Sequence, residues 1–238
     1  HRTHFLGTVA GMSVPVRKTY KLYVGGKFPR SESGRVFQPA GNGAINVARG
    51  SRKDLRDAIV AARAGLLQWS GSSAYLRGQI LYRLAEMLES RRDAMVAELR
   101  LGGATPAAAQ KELDSAIALT IWYAGLCDKV QSLLGSQNAV QGPFFNFSTI
   151  EPTGVIGVMA PDAPALLGTL ALALPLLVGG NSVVALVSER SPFVGMALGE
   201  VAAASDVPAG WNNVAKLRAL SWVEPFVETK TLWHPVSQ

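Results

Sequence analysis

Residues 154–188 have the sequence GVIGVMAPDAPALLGTLALALPLLVGGNSVVALVS. An apolar run of strand length comes first, an apolar segment of helix length follows, and a run rich in β-branched residues comes after a Gly-Gly-Asn turn. Strands that are buried on both faces of a parallel sheet have continuous apolar runs of this kind. Residues 193–204, FVGMALGEVAAA, add a second helical pattern. Together these segments predict a β-α-β-α series, which is typical of an α/β fold.

The stretch from Ala163 to Ser188 carries no charged residue and is long enough to span a bilayer. Pro175 and the turn at residues 179–181 divide it into a helix-length piece and a strand-length piece. This division favours a buried helix and strand over a membrane span. The first eleven residues contain no long apolar segment and so do not predict a secretory signal, and Met12 is a candidate native start.

The composition excludes several classes of function. The chain has 238 residues, 48% of them hydrophobic, which is enough for one large core. The formal charge is +6, but basic and acidic residues alternate, and acids flank even the Arg91-Arg92 pair, so no nucleic-acid partner is expected. The single cysteine, Cys127, excludes an internal disulfide and fits a cytoplasmic location. No two histidines have metal-ligand spacing on a common element, so no metal is expected.

Several segments before residue 154 have recognisable local patterns. Residues 20–28 alternate around a Gly-Gly pair and predict a small hairpin. Ser51 or Asp54 is expected to cap the helix that follows. The spacing of apolar residues predicts two longer helices, over residues 75–99 and 107–133.

Two further segments are predicted to contain strands. Aromatic and polar residues alternate over residues 143–152, which indicates a strand that ends at Glu151-Pro152. After Gly210 the composition changes, and residues 211–238 predict a helix followed by a strand with no local partner. That helix is expected to cover the apolar core through four side chains: Trp211, Leu217, Leu220 and Trp222.

The order of these segments resembles the amino-terminal half of the aldehyde dehydrogenase superfamily, from about Tyr20 to Gly210. The motifs that carry the resemblance are YVGGKF, ARAGLLQWS, LYRLAEMLESRRD, IWYAGLCDKV, EPTGVIGVMAP and PLLVGGNSVVALVSERSP. The segment LRALSWVEPFVETKTLWHP also looks like the family's carboxyl-terminal strand, which joins an oligomerisation sheet. The resemblance implies an α/β fold with a partial Rossmann-like parallel sheet, flanking helices and a small oligomerisation sheet, and with the catalytic domain absent.

The resemblance also implies a division of the chain into five parts. They are a tail at 1–19, a helical part at 20–142, an oligomerisation strand at 143–152, a truncated dinucleotide-binding-like core at 153–210, and a carboxyl-terminal helix and strand at 211–238. Four alternating side chains of the last strand are expected to pair with a neighbouring subunit: Phe226, Glu228, Lys230 and Leu232.

The family's catalytic groups have no match in this chain. In the family a nucleophilic cysteine and an assisting glutamate lie in a stretch that the chain skips after Gly210. The resemblance assigns Cys127 to the scaffold, where a small apolar filler is a better interpretation than a nucleophile. The Asn that stabilises the oxyanion in the family is replaced within Pro161-Asp162-Ala163, so that electrostatic contribution is lost.

The cofactor residues implied by the resemblance are also altered. Ala160, Pro161 and Glu189 match positions that contact the dinucleotide, and we interpret them as vestigial. Leu186 stands where the family has a lysine that holds the adenosine ribose. The Gly179-Gly180 pair offers no dinucleotide fingerprint and is more simply a turn.

Three functions are compatible with this pattern. The first is a non-catalytic partner of a full aldehyde dehydrogenase or of itself, with no cofactor, no nucleic acid and no membrane. The second is an NAD- or NADP-dependent oxidoreductase that acts on aldehydes, which would rest on the α/β core and Glu189. The third is a deletion product with no selected function. The first is the function that the sequence favours, since the scaffold and a docking strand are retained together.

Overall fold

The computed structural model describes residues 18–41, 45–208 and 211–215. Within them the helices are α1 (Arg52–Gly71), α2 (Ala74–Ser90), α3 (Arg92–Leu101), α4 (Pro106–Leu126), α5 (Val130–Leu134), α6 (Ala165–Val178) and α7 (Pro192–Ala204). The strands are β1 (Val36–Phe37), β2 (Val47–Ala48), β3 (Ser136–Asn138), β4 (Asn146–Ser148), β5 (Val155–Met159), β6 (Ser182–Val187) and β7 (Trp211–Ala215). None of the helices in these ranges is long and apolar enough to cross a membrane.

A three-stranded parallel sheet of order β5-β6-β7 forms the centre of the fold. Val155 of β5 lies opposite Ser182 of β6, and Val183 of β6 lies opposite Trp211 of β7. The helices α6 and α7 connect consecutive strands, as parallel strands require. The predicted β-α-β-α series and the α/β class are confirmed.

The strand β7 corrects the prediction of a helix that begins at Trp211. Alternate residues of β7 share a face of the sheet, and Trp211 Nε1 donates a hydrogen bond to Asn213 Oδ1 at 2.8 Å. Val214 packs in the cluster on the other face. Two consecutive asparagines are uncommon in strands, which hid this pattern in the sequence. The remaining candidates lie outside the described residues: Leu217, Leu220, Trp222, Phe226, Glu228, Lys230 and Leu232.

Two clusters of buried side chains cover the sheet. The larger one contains Leu166 and Leu174 of α6, together with Trp69 of α1. Trp69 Nε1 donates to the Leu177 carbonyl at 2.9 Å, so the indole fills the core without leaving its N–H unpaired. The smaller cluster includes Phe193 of α7 and side chains from β2, α1 and β6.

The predicted hairpin at residues 20–28 is present as a tight turn. Val24 and Lys27 exchange backbone hydrogen bonds of 2.9 and 3.0 Å. Gly25 and Gly26 between them have φ values of 59° and 75°, a region that glycine enters without strain. Next to the turn, Tyr23 exchanges backbone hydrogen bonds with Asn213 of β7, which fixes the amino-terminal segment to the sheet.

The two longest predicted helices are each divided in the structure. The predicted helix at 75–99 is interrupted at Arg91, whose φ of −107° and ψ of 23° lie outside the helical region. Apolar side chains continue across this break, so their periodicity did not reveal it. The predicted helix at 107–133 ends at Leu126, and α5 follows after a short turn.

The predicted strand at 143–152 is wrong in its length. Only Asn146–Ser148 forms a strand, β4, and it pairs antiparallel with the three residues of β3. A strand extends only as far as its partner offers backbone groups, and within the described part of the chain β3 is its sole partner. Every residue of β3 and β4 is exposed.

The predicted cap of α1 is confirmed with both candidate residues. Ser51 Oγ accepts from Asp54 N at 3.2 Å, and Asp54 Oδ2 accepts from Ser51 N at 2.8 Å. The buried Asp54 carboxylate also accepts from the Ser31 hydroxyl at 2.7 Å and from Glu32 N at 3.1 Å. This carboxylate therefore joins the first turn of α1 to the loop before β1.

We expect Asp54→Ala to lower the free energy of unfolding by about 1 to 3 kcal/mol, because the change leaves buried donors unpaired. Urea denaturation followed by circular dichroism measures the difference. Asp57→Ala, in the same helix but exposed, is the matched control and is expected to change stability by about 0.5 kcal/mol or less. Equal effects of the two changes would contradict the structural role of Asp54.

Candidate functional site

In open parallel sheets ligands bind beyond the carboxyl ends of the strands, and in the described part of the chain that end includes the loops after β5 and β6. Ala160 N donates to the Leu186 carbonyl at 2.8 Å, which continues the pairing of the two strands by one residue. Pro161 then packs on α6 at Gly168, where a Cβ atom would lie 2.3 Å from Pro161 Cγ. Ala160, Pro161 and Glu189 match the family's dinucleotide contacts in the sequence. All three lie in the loops at this end of the sheet.

A network that we call the Asp162 bridge joins the two loops and consists of Asp162, Ser188 and Arg190. The Ser188 hydroxyl donates to Asp162 Oδ1 at 2.6 Å. Ser188 Oγ also accepts from the backbone N–H groups of Arg190 at 3.0 Å and Ser191 at 3.2 Å. Arg190 Nε lies 3.5 Å from Asp162 Oδ2. The loop after β5 is therefore held to the start of α7.

The amino terminus of α6 is occupied by a second carboxylate. Its N-cap residue, Pro164, supplies no side-chain acceptor. Glu112 of α4, which lies more than 50 residues earlier in the sequence, supplies the acceptor. Its Oε1 accepts from Leu166 N at 2.7 Å and from Leu167 N at 3.2 Å. A carboxylate in this position satisfies two backbone donors and interacts favourably with the helix dipole.

Sequence reasoning missed Ser188, Arg190 and Glu112. A serine that precedes a helix start by a few residues is typical of a side-chain-capped turn, so Ser188 had a local signal. Glu112 had no local sequence signal, because its hydrogen-bond partners are distant in the sequence. Leu186, which stands at the family's lysine position, is partly buried and packs against the smaller core cluster.

Cys127 lies directly after α4 and is buried in the larger core cluster. Its Sγ is 3.5 Å from the Tyr123 carbonyl, and its Cβ is close to Gly78 of α2. Burial raises the pKa of the thiol to about 11, although Arg77 acts in the opposite direction. The structure thus places Cys127 among apolar side chains, as the sequence predicts, and its protonated form dominates at neutral pH.

The hairpin of β3 and β4 carries a concentration of exposed apolar side chains. Phe144 and Phe145 are 74% and 71% exposed, and Phe147 is 59% exposed. The rings of Phe145 and Phe147 contact each other with centroids 5.4 Å apart. A two-stranded hairpin is marginally stable by itself in water, and patches of this kind mark interaction sites.

A dinucleotide presents two phosphates, which proteins bind through unpaired backbone N–H groups and positive charge. The described residues at the carboxyl end of the sheet do not match this requirement. Glu112 already accepts from the first N–H groups of α6, and Ser188 accepts from those before α7. Asp162 adds a negative charge in the loop after β5. In the described ranges there is likewise no group of three or more potential ligands that would hold a metal ion.

Comparison with known proteins extends these observations. The pattern of the Aldehyde dehydrogenase family matches residues 28–232. Retinal dehydrogenase 2 of Mus musculus is 31% identical over 207 residues, which cover 83% of this chain and 39% of that protein. A putative aldehyde dehydrogenase from Burkholderia cenocepacia superposes with a TM-score of 0.79 at 27% identity, over 84% of this chain and 42% of that one.

A further solved structure is similar in fold. PnpE, in complex with nicotinamide adenine dinucleotide, superposes with a TM-score of 0.80 at 24% identity, over 84% of this chain and 42% of that one. This chain therefore spans about two fifths of the length of the relatives that it matches.

Proposed function

Because this chain belongs to the aldehyde dehydrogenase family, we propose that it acts as a non-catalytic member whose role is assembly, with a full aldehyde dehydrogenase subunit or with a second copy of itself. The observation that carries the proposal is the exposed aromatic hairpin of β3 and β4. Phe144, Phe145 and Phe147 lie within four residues of each other and are each between 59% and 74% exposed, and a concentration of exposed apolar side chains marks an interaction site.

The chemistry of the hairpin supports a protein partner. Asn138 and Asn146 join through their side chains, with Asn138 Nδ2 donating to Asn146 Oδ1 at 2.7 Å, so part of the hairpin is polar and internally bonded. The aromatic rings project from the same short strands and their flanking residues. Aromatic residues are enriched in the centres of protein interfaces because they bury a large area with few rotatable bonds.

The proposal that the chain is not catalytic rests on its own residues. A covalent route for aldehydes needs a thiolate that a substrate can reach. Cys127 is buried and its pKa is raised, and the position of the family's oxyanion donor is occupied by Ala163. The predicted docking side chains Phe226, Glu228, Lys230 and Leu232 lie outside the described residues, and their pairing role stays a prediction.

We expect the double substitution Phe145→Ser and Phe147→Ser to shift the purified chain to a smaller species in mass measurements by light scattering. The hairpin is exposed, so the fold of the subunit should be kept, as circular dichroism would verify. Leu67→Ser, which changes a side chain that is 79% exposed on α1, is the matched control and should leave the mass unchanged. A wild-type chain that is monomeric and captures no aldehyde dehydrogenase would refute the proposal.

The alternative function is an NAD- or NADP-dependent oxidoreductase acting on aldehydes. It is favoured by the match of Glu189 to a ribose-contacting position, and by the fold shared with PnpE, which was solved with nicotinamide adenine dinucleotide. Against it stand the occupied amino terminus of α6 and the Asp162 carboxylate in the loop after β5.

A further inference from the structure

We propose that Asp162 is a resident anion that closes the carboxyl end of the parallel sheet to phosphate-bearing ligands. The residues of this chain therefore do not fit the family's cofactor for two reasons. Contacts are lost, and the side chain of Asp162 repels the phosphates. The inference rests on the proposed non-catalytic function. Its test measures ligand binding whereas the assembly test measures mass, so either one can fail alone.

The direction of the hydrogen bonds in the Asp162 bridge follows from the chemistry of a hydroxyl group. A serine Oγ has one proton to donate and two lone pairs to accept with. Both lone pairs of Ser188 are used by the backbone N–H groups of Arg190 and Ser191. The proton is consequently directed to Asp162, at an Oγ to Oδ1 distance of 2.6 Å. Ser188 retains no donor for another ligand.

The charge of Asp162 complements the start of α7. The amino terminus of a helix carries a partial positive charge that favours anions. Ser188 links the carboxylate to this terminus, because it donates to Asp162 and accepts from the N–H groups just before α7. Arg190 adds an ion pair on the other carboxylate oxygen at 3.5 Å. Both side chains of this pair are more than half exposed, so the pair itself contributes little to stability.

Within the described residues, the other helix amino terminus at this end, that of α6, gives no alternative site. Glu112 takes the N–H groups of Leu166 and Leu167, and its carboxylate is negative as well. A phosphate that approached either loop would thus meet a carboxylate. An uncharged ligand would not experience this repulsion. Charge is therefore the property that distinguishes an excluded phosphate-bearing ligand from an uncharged one.

Calorimetric titration of the full chain with adenosine diphosphate and with adenosine tests the proposal. We expect Asp162→Asn to bind adenosine diphosphate at least about 10-fold more tightly than the wild type, which corresponds to the removal of one like charge at close range. Binding of adenosine should change by less than about 2-fold, because it carries no phosphate. Asp128→Asn, which removes an equally exposed carboxylate that pairs with Lys129, is the control and should have no effect.

Asp162→Ala provides a second variant that also removes the hydrogen-bond acceptor, and Asp162→Asn keeps the size of the side chain if the alanine variant fails to fold. The proposal is overturned if neither variant gains affinity for adenosine diphosphate, or if the wild type already binds it as tightly as Asp162→Asn. An equal gain in affinity for adenosine would also overturn the proposal, because the size of the Asp162 side chain and not its charge would then limit binding.

Discussion

Replacing Trp211 with alanine is expected to lower the free energy of unfolding by about 3 to 5 kcal/mol, the range found when a large buried aromatic side chain is removed. The indole is fully buried in the larger core cluster. Its Nε1 donates to Asn213 Oδ1, and Asn213 in turn donates from Nδ2 to the Gly195 carbonyl at 2.8 Å. The change therefore creates a cavity and also leaves a buried acceptor without its donor.

Thermal and urea denaturation of the full chain measure this loss. Trp122→Ala is the matched control, because Trp122 is 59% exposed on α4 and its removal leaves the core intact. We expect a change of about 1 kcal/mol or less for the control. If both substitutions had the same small effect, β7 would not be an integral strand of the sheet.

Cys127 is expected to react with iodoacetamide at pH 8 at least about 100-fold more slowly in the folded chain than in urea, because the thiolate is the reactive species. Burial raises the pKa of the thiol from 9.0 to about 11, so the folded state holds the proton over the pH range in which the unfolded state loses it. Steric protection by the core lowers the rate further.

Mass spectrometry of the alkylated chain over time gives both rates, and Cys127→Ser supplies the background. At pH values below the raised pKa, the alkylation rate of the folded chain should increase about tenfold for each unit that the pH rises, because the thiolate fraction grows. A folded thiol that reacts as fast as the unfolded one would mean that Cys127 is accessible and ionised. That result would remove the main support for a non-catalytic function.

The fold could be predicted from the sequence where local pattern and tertiary packing agree. The stretch at 154–188 has apolar runs whose lengths and turn residues favour a buried strand, helix and strand, and the structure contains all three. The Ser51 and Asp54 cap was predictable for the same reason, since both partners lie within one turn of helix. In these cases the residues that determine the structure are close together in the sequence.

The errors arise where distant residues determine the local structure. Trp211 begins a strand because β6 offers backbone partners, which the asparagine-rich segment itself does not indicate. The candidate site is similar, because Glu112 binds backbone N–H groups that are 54 and 55 residues away. The cofactor-contact roles of Ala160, Pro161 and Glu189 stay predictions. The function of Asp162 depends on a hydroxyl group 26 residues away, and sequence alone showed only that an oxyanion donor was absent.

The backbone hydrogen bonds between Tyr23 and Asn213 have a consequence for synthesis on the ribosome. They join nearly the first described residues to the last, at N···O distances of 3.1 and 2.8 Å. A chain grows by about 5 to 20 residues per second, so Tyr23 waits roughly 10 to 40 s before its partner is made. During that interval the amino-terminal segment lacks its partner strand β7 and can be bound by chaperones. Nascent chains stalled before residue 211 should therefore remain sensitive to protease near Tyr23, whereas longer ones should become resistant.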